Sequence, residues 1–160
     1  CMVHAPKLLL LDEPTAGGDP KARRDFWEEI HKLAGEGITV LVSTHYMDEA
    51  ERCHQLAYIA FGKLLTTGTP AEVLARSGLV TWRVEGDDLY RLADLLQGRP
   101  GVAQVVPFGN VLHVSGDNAE QLAASTADLR ADSHWVWALS EPGLEDVFIQ
   151  LMEGTKDNFR

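Results

Sequence analysis

Leu8-Leu9-Leu10-Leu11-Asp12-Glu13-Pro14-Thr15 decides how the rest of the chain is read. Four leucines run directly into two adjacent carboxylates and a proline. So short and continuous an apolar run is expected at 7–12 as a central parallel strand, buried on both faces. Neighbours on a strand point to opposite faces, so Asp12 and Glu13 at its end can take different roles. Open α/β sheets bind ligands at the carboxyl edge of their strands. There Asp12 can hold Mg²⁺, directly or through water, and Glu13 can stand where a water attacks a γ-phosphate. Phosphoryl transfer needs both kinds of group, because it relies on positioning and on neutralising charge.

Working outward, Gly17-Gly18-Asp19-Pro20 makes a tight turn carrying a third carboxylate. Asp19 is expected to cap a helix whose first residue is Pro20. Residues 21–34 place Phe26, Trp27, Ile30, Leu33 and Ala34 at helical spacing, and Gly35-Glu36-Gly37 ends that helix. Ile38–Ser43 is a second buried strand, rich in β-branched residues. Strand, helix, strand implies a βαβ unit with parallel strands and a right-handed crossover. That pairing brings His45, in Ser43-Thr44-His45, to the same edge as Asp12 and Glu13. A further helix is expected from about Met47 to Cys53, with Asp48, Glu49 and Glu51 near its positive end. Leu56–Phe61 and Leu64–Thr67 read as a hairpin around Gly62-Lys63. Gly68-Thr69-Pro70 then leads into a short helix from Ala71 to about Ala75.

The composition changes near Ser77-Gly78. Beyond it we expect strand 80–85, helix 89–97, strands 102–108 and 111–115 joined at Gly109-Asn110, helix 119–130 and strand 135–139. A last helix covers 144–152. The order βαββαβ is the ferredoxin-like pattern. Residues 154–160 are expected to fray. Cys1–Pro6 reads as the end of a helix stopped by proline, so the chain is expected to be part of a longer protein.

The bulk properties narrow the classes. In 160 residues there are 14 basic and 24 acidic side chains, a net charge of −10. Such an acidic chain is poorly suited to neutralising the phosphates of nucleic acid or to docking on anionic lipid. Its two cysteines, Cys1 and Cys53, form no CxxC pair, and a disulfide framework is not expected. No apolar run reaches the ~18 residues of a membrane helix, and no signal peptide is visible. No Gly-x-x-x-x-Gly-Lys-[Ser/Thr] phosphate loop occurs in the sequence.

Leu-Leu-Leu-Leu-Asp-Glu-Pro-Thr-Ala-Gly-Gly-Asp-Pro followed by Ser-Thr-His resembles the Walker B motif, D-loop and H-loop of ATP-binding cassette (ABC) transporter ATPases. The resemblance implies that residues 1–78 are the C-terminal part of a P-loop NTPase-type nucleotide-binding domain with a parallel sheet. It assigns Asp12 to Mg²⁺, Glu13 to general-base catalysis and His45 to the γ-phosphate as both catalytic and nucleotide-binding residue. Asp19 becomes a nucleotide-site residue that reaches across a dimer interface. Gly18 departs from the family, which usually has an aliphatic residue there. Gly62–Val73 resembles the stretch after the H-loop. Glu141–Ile149 resembles the C-terminal end of ABC-2-type exporters, so 79–153 would be that subfamily's accessory domain and 154–160 a tail.

The implied cofactors are ATP and Mg²⁺. The implied partners are an integral-membrane permease and a second ATPase domain, as homodimer or tandem cassette, with no nucleic acid. The protein would be cytoplasmic, held at the inner face of the membrane through the permease. The phosphate loop and signature would precede Cys1, and the isolated chain is expected to be inactive. Two other readings stay open: a soluble ABC-type ATPase of translation or DNA repair, and a non-catalytic interaction or ligand-sensing module in the C-terminal half. His31, His45, Cys53 and His54 match no zinc spacing. Trp82, Trp135 and Trp137 are read as core or interface packing, and Lys21, Arg23 and Arg24 as a solvated helix face.

Overall fold

A computed structural model describes residues 6–154. The expectations for 1–5 and 155–160 lie outside the described residues. The contacts group into two compact units that divide between Cys53 and His54.

In the first unit, β1 (Leu8–Asp12) pairs in parallel with β2 (Thr39–Ser43), from Leu8 opposite Thr39 to Asp12 opposite Ser43. Between them runs α1 (Pro20–Gly35). Asp19 caps α1 as expected: its Oδ1 accepts from the backbone N–H groups of Lys21 and Ala22, each at 2.9 Å, with Pro20 in the first turn. Trp27, Ile30 and Leu33 of α1 bury against Leu9, and Leu11, Val40 and Val42 pack around them. The short α2 (Met47–Ala50) follows His45 and ends before the expected Cys53.

One expectation for β1 is corrected. Leu8 is 53% and Leu10 64% exposed, and Leu41 beside Leu10 is 63% exposed. Residues on alternate positions face opposite sides of a sheet. Here α1 covers the side of Leu9 and Leu11, and no element of this unit's described residues covers the other. A continuous apolar run speaks of two buried faces but cannot supply the second cover.

In the second unit, β3 (Leu56–Ala60) and β4 (Lys63–Gly68) form an antiparallel hairpin. Its turn falls on Phe61 and Gly62, with φ of +51° and +71°, one residue earlier than expected. Two consecutive positive φ values suit the twist of a two-residue hairpin loop, and Gly62 takes the second at no steric cost. The helix α3 (Pro70–Ser77) starts on a capping box, in which Thr69 and Glu72 each accept the other's backbone N–H.

The four-stranded sheet contains β5 (Val80–Gly86), β6 (Gln104–Phe108), β7 (Val111–Gly116) and β8 (Trp135–Ser140). Its order is β6-β7-β5-β8, with every neighbouring pair antiparallel. The helix α4 (Leu89–Leu96) follows β5. Between β7 and β8 the expected single helix is two, α5 (Ala119–Ser125) and α6 (Ala127–Arg130), parted at Thr126. The buried Thr126 hydroxyl donates to the Leu122 carbonyl at 2.8 Å, the local back-bond by which threonine competes with regular helix.

Val84, Leu112, Val114 and Trp135 of the sheet close on Leu92, Leu96, Leu122 and Leu129 of these helices. Trp82 and Trp137 pack against the same core, in line with their expected role. On the other face, Thr81 and Ser115 share a buried hydrogen bond of 2.7 Å. The final helix α7 (Leu144–Glu153) is tied to that face through Asp146. The Asp146 carboxylate accepts the Gly143 N–H at 2.8 Å and lies 3.2 Å from His113 Nδ1, while its backbone carbonyl accepts Gln104 Nε2 at 3.0 Å.

Candidate functional site at the β1–β2 edge

The parallel register delivers the expected residues to one place. Asp12 stands opposite Ser43, so the residues that follow, Glu13 and Thr44-His45, leave the sheet side by side. The chain breaks its strand geometry at Glu13, whose φ is +41°. For a residue with a side chain this left-handed conformation costs about 1–2 kcal/mol and persists only where neighbouring bonds impose it. Those bonds are present. The Glu13 N–H donates to the Ser43 carbonyl and to Ser43 Oγ, each at 3.1 Å.

His45 Nδ1 lies 3.2 Å from Glu13 Oε1, with both side chains at least half exposed. The tautomer with its proton on Nδ1 makes this a donor to the carboxylate. The Ser43 hydroxyl donates to Asp12 Oδ1. Glu13 and His45 are thus brought together, and Asp12 is held beside them through Ser43. Asp19 lies apart as the cap of α1, in contact with its own helix.

Asp12 fits Mg²⁺. Its carboxylate is exposed at the strand end, and Mg²⁺ is usually held by one or two carboxylates together with substrate phosphates rather than in an all-protein cage. Among the described residues no group of three His, Cys, Asp or Glu could form such a cage.

Behind this edge lies a network that sequence reading missed. Glu49 of α2 has a side chain only 1% exposed. Its Oε1 accepts the Thr15 hydroxyl at 2.7 Å and Arg23 Nε at 3.0 Å, and its Oε2 accepts the Thr44 hydroxyl at 2.7 Å. Burial pushes the Glu49 carboxyl up, but the hydrogen bonds from Thr15, Thr44 and Arg23 outweigh it and hold the group below the usual carboxylate range. Arg23 also pairs with Asp48 at 3.1 Å, and its guanidinium lies 4.4 Å from the centre of the Tyr46 ring. Arg23 is therefore not part of a merely solvated face. Its helical spacing from Trp27 and Ile30 set it apart from Lys21 and Arg24, but nothing local in the sequence names Glu49 as its partner.

The turn between Glu13 and α1 is compact. Gly17 has φ of +73°, and the Gly18 N–H donates to the Thr15 carbonyl at 3.0 Å. A Cβ on Gly18 would sit 3.2 Å from that carbonyl oxygen, so the aliphatic residue usual in the resembled loop would require a small shift here.

No protein-family model matches the chain. Individual relatives do. Over 152 residues, 94% of this chain, it is 36% identical to the Nod factor export ATP-binding protein I of Rhizobium leguminosarum bv. viciae. It is 34% identical over 159 residues to the protein of the same name from Burkholderia pseudomallei. Over 76 residues, 48% of the chain, it is 47% identical to the probable multidrug ABC transporter ATP-binding protein YbhF of Escherichia coli K12. The chain spans 47% and 48% of the two Nod factor export proteins and 13% of YbhF. With paired strands that set Asp12, Glu13 and His45 at one edge, and with this identity across nearly all its length, the chain belongs to the ABC transporter ATP-binding proteins.

Proposed function

We propose that the chain is the portion, from Walker B onward, of the ATP-hydrolysing subunit of an ABC exporter. The observation that carries this reading is the 3.2 Å contact between Glu13 and His45 on a strand edge that also presents Asp12. Residues 1–78 are read as the C-terminal part of a P-loop NTPase-type domain and 79–153 as an accessory domain, divided at Gly78. Gly78 ends α3 in the left-handed conformation, with φ of +65°. The strand order β6-β7-β5-β8 with its helices supports a ferredoxin-like accessory domain.

In the proposed mechanism Glu13 accepts a proton from the attacking water, which it can approach because its carboxylate is half exposed. Its positive φ holds that carboxylate off the strand line. His45 donates through Nδ1 to Glu13, orienting the carboxylate; in the imidazolium form both ring nitrogens are donors, and Nε2–H would then donate to a γ-phosphate oxygen. Asp12, fixed by the Ser43 hydroxyl, would hold Mg²⁺, which when bound neutralises phosphate charge. Asp19 keeps the turn rigid by capping α1, and from that turn it would face a second ATPase domain.

The phosphate cradle is not encoded in these residues, and the backbone N–H groups and lysine of a phosphate loop would have to come from elsewhere in the protein. Partners would be a membrane permease and a second cassette. No helix among the described residues is long and apolar enough to cross a membrane, which fits attachment to the inner face through a permease.

The test compares MgATP binding and hydrolysis by this chain with those of a version joined to the phosphate loop and signature of a relative. Only the joined version is expected to bind and turn over ATP. Tight nucleotide binding by the chain alone would overturn the assignment of Asp12, Glu13 and His45.

A further inference from the structure

Resting on that reading, we propose that Glu49 is a positioning residue for hydrolysis: its buried carboxylate sets Glu13 and His45 at their working separation. Three segments converge on it. Thr15 lies two residues after Glu13, Thr44 lies immediately before His45, and Arg23 comes from α1.

The direct contact between Glu13 and His45 is half exposed. A pair of that kind contributes little and is screened by salt, so it cannot by itself hold two side chains in one geometry. The bonds behind it differ. A buried carboxylate is costly unless fully partnered, and here each oxygen is engaged within 3.0 Å. A buried, fully satisfied network resists distortion more than any one of its bonds.

Glu49 reaches His45 by two routes. Thr44 Oγ1 donates to Glu49 and also accepts the Tyr46 N–H at 3.1 Å, which fixes the backbone on both sides of His45. Arg23, oriented by Glu49, lies on the Tyr46 ring, and that ring packs against the His45 imidazole with centroids 4.1 Å apart. The route to Glu13 runs through Thr15, whose hydroxyl Glu49 holds and whose carbonyl accepts the Gly18 N–H. One side chain therefore ties down both flanks of the Glu13–His45 pair without touching either residue.

Displacement of reacting groups by a fraction of an ångström to one ångström costs turnover up to ~100-fold. In the ATP-binding protein that carries this chain together with its phosphate loop, Glu49→Ala is expected to lower kcat ~10–100-fold, with ATP affinity from fluorescent-nucleotide titration within about twofold of the parent. Glu49→Gln keeps an oxygen for Thr15 and Arg23 and offers an amide to the Thr44 hydroxyl, so it should restore kcat to within about threefold. Thr44→Val removes one bond at nearly constant volume and should lower kcat ~3–10-fold with the melting temperature unchanged.

The role is overturned if Glu49→Ala turns over normally, or if its ATP affinity falls in step with kcat. It is also overturned if Glu49→Gln falls as far as Glu49→Ala. Should Glu49→Ala fail to fold, Thr44→Val decides: unchanged kcat there sinks the role. Glu13→Gln run in parallel separates the two levels. An active Glu13→Gln removes the site reading itself, whereas an inactive one beside a normal Glu49→Ala removes only the positioning role.

Discussion

Glu13→Gln is expected to lower ATP turnover ~10²–10⁴-fold, the range for loss of a general base, while leaving nucleotide binding intact. The substitution is nearly isosteric. Glutamine keeps an oxygen that can accept from His45 Nδ1, now 3.2 Å from Glu13 Oε1. The backbone bonds from the Glu13 N–H to Ser43 do not involve the side chain and should persist. What is lost is the capacity to take a proton from water. Binding should survive because, under the proposed function, a phosphate loop rather than this residue would hold the phosphates. The experiment needs the protein with that loop, a phosphate-release assay and a nucleotide titration. A variant that hydrolyses ATP at near the parent rate would place the base elsewhere.

The largest stability effect is expected at Leu92→Ala. Leu92 has no solvent exposure and lies in the core formed by α4, α5, α6 and the four-stranded sheet. Its removal loses the transfer free energy of the side chain and leaves a cavity that the surrounding residues fill only in part, ~3–4 kcal/mol together. The walls include Leu96, Leu112, Val114 and Leu122, each at most 1% exposed. They also include the antiparallel register of β5 and β7, which fixes where Leu112 and Val114 sit. Such walls cannot close inward without breaking strand pairing. Urea unfolding followed by tryptophan fluorescence reads the change, since Trp82, Trp135 and Trp137 all border this core. A loss below ~1 kcal/mol would mean a core loose enough to collapse around the gap.

The placement of the candidate site residues at one strand edge was legible because its signal is local. A run of leucines ending in Asp12-Glu13 and a β-branched run ending in Ser43-Thr44-His45 each announce a strand and what it carries. The period of Phe26, Trp27, Ile30 and Leu33 announces the helix between them, and Asp19-Pro20 announces its start. Parallel pairing then follows from connection geometry alone. The elements of the second unit, apart from the single helix expected over 119–130, were legible for the same reason, each within a few residues of its observed bounds.

What stayed hidden is what depends on partners distant in the chain. Glu49 reads as one of several acids on a short helix, and only the folded chain shows Thr15, 34 residues away, donating to it. The exposure of Leu8 and Leu10 depends on which elements cover a face, which an apolar run does not record. The break at Thr126 shows only in the folded chain, where its hydroxyl and its N–H both donate to the Leu122 carbonyl. The hairpin turn shifted because Phe61 adopts a positive φ that glycine-based turn rules do not anticipate.

The left-handed backbone at Glu13 has a consequence for evolution and engineering. A residue without Cβ would occupy φ of +41° without steric penalty. Glu13→Gly is therefore expected to raise thermal stability by up to ~1 kcal/mol, despite the larger entropy that glycine loses on folding, while removing the proposed base. A rise in melting temperature in the same variant that loses turnover would show strain kept for chemistry; a fall would show that the contact with His45 outweighs it. A stability screen run without an activity readout would then select against the very side chain proposed as the base.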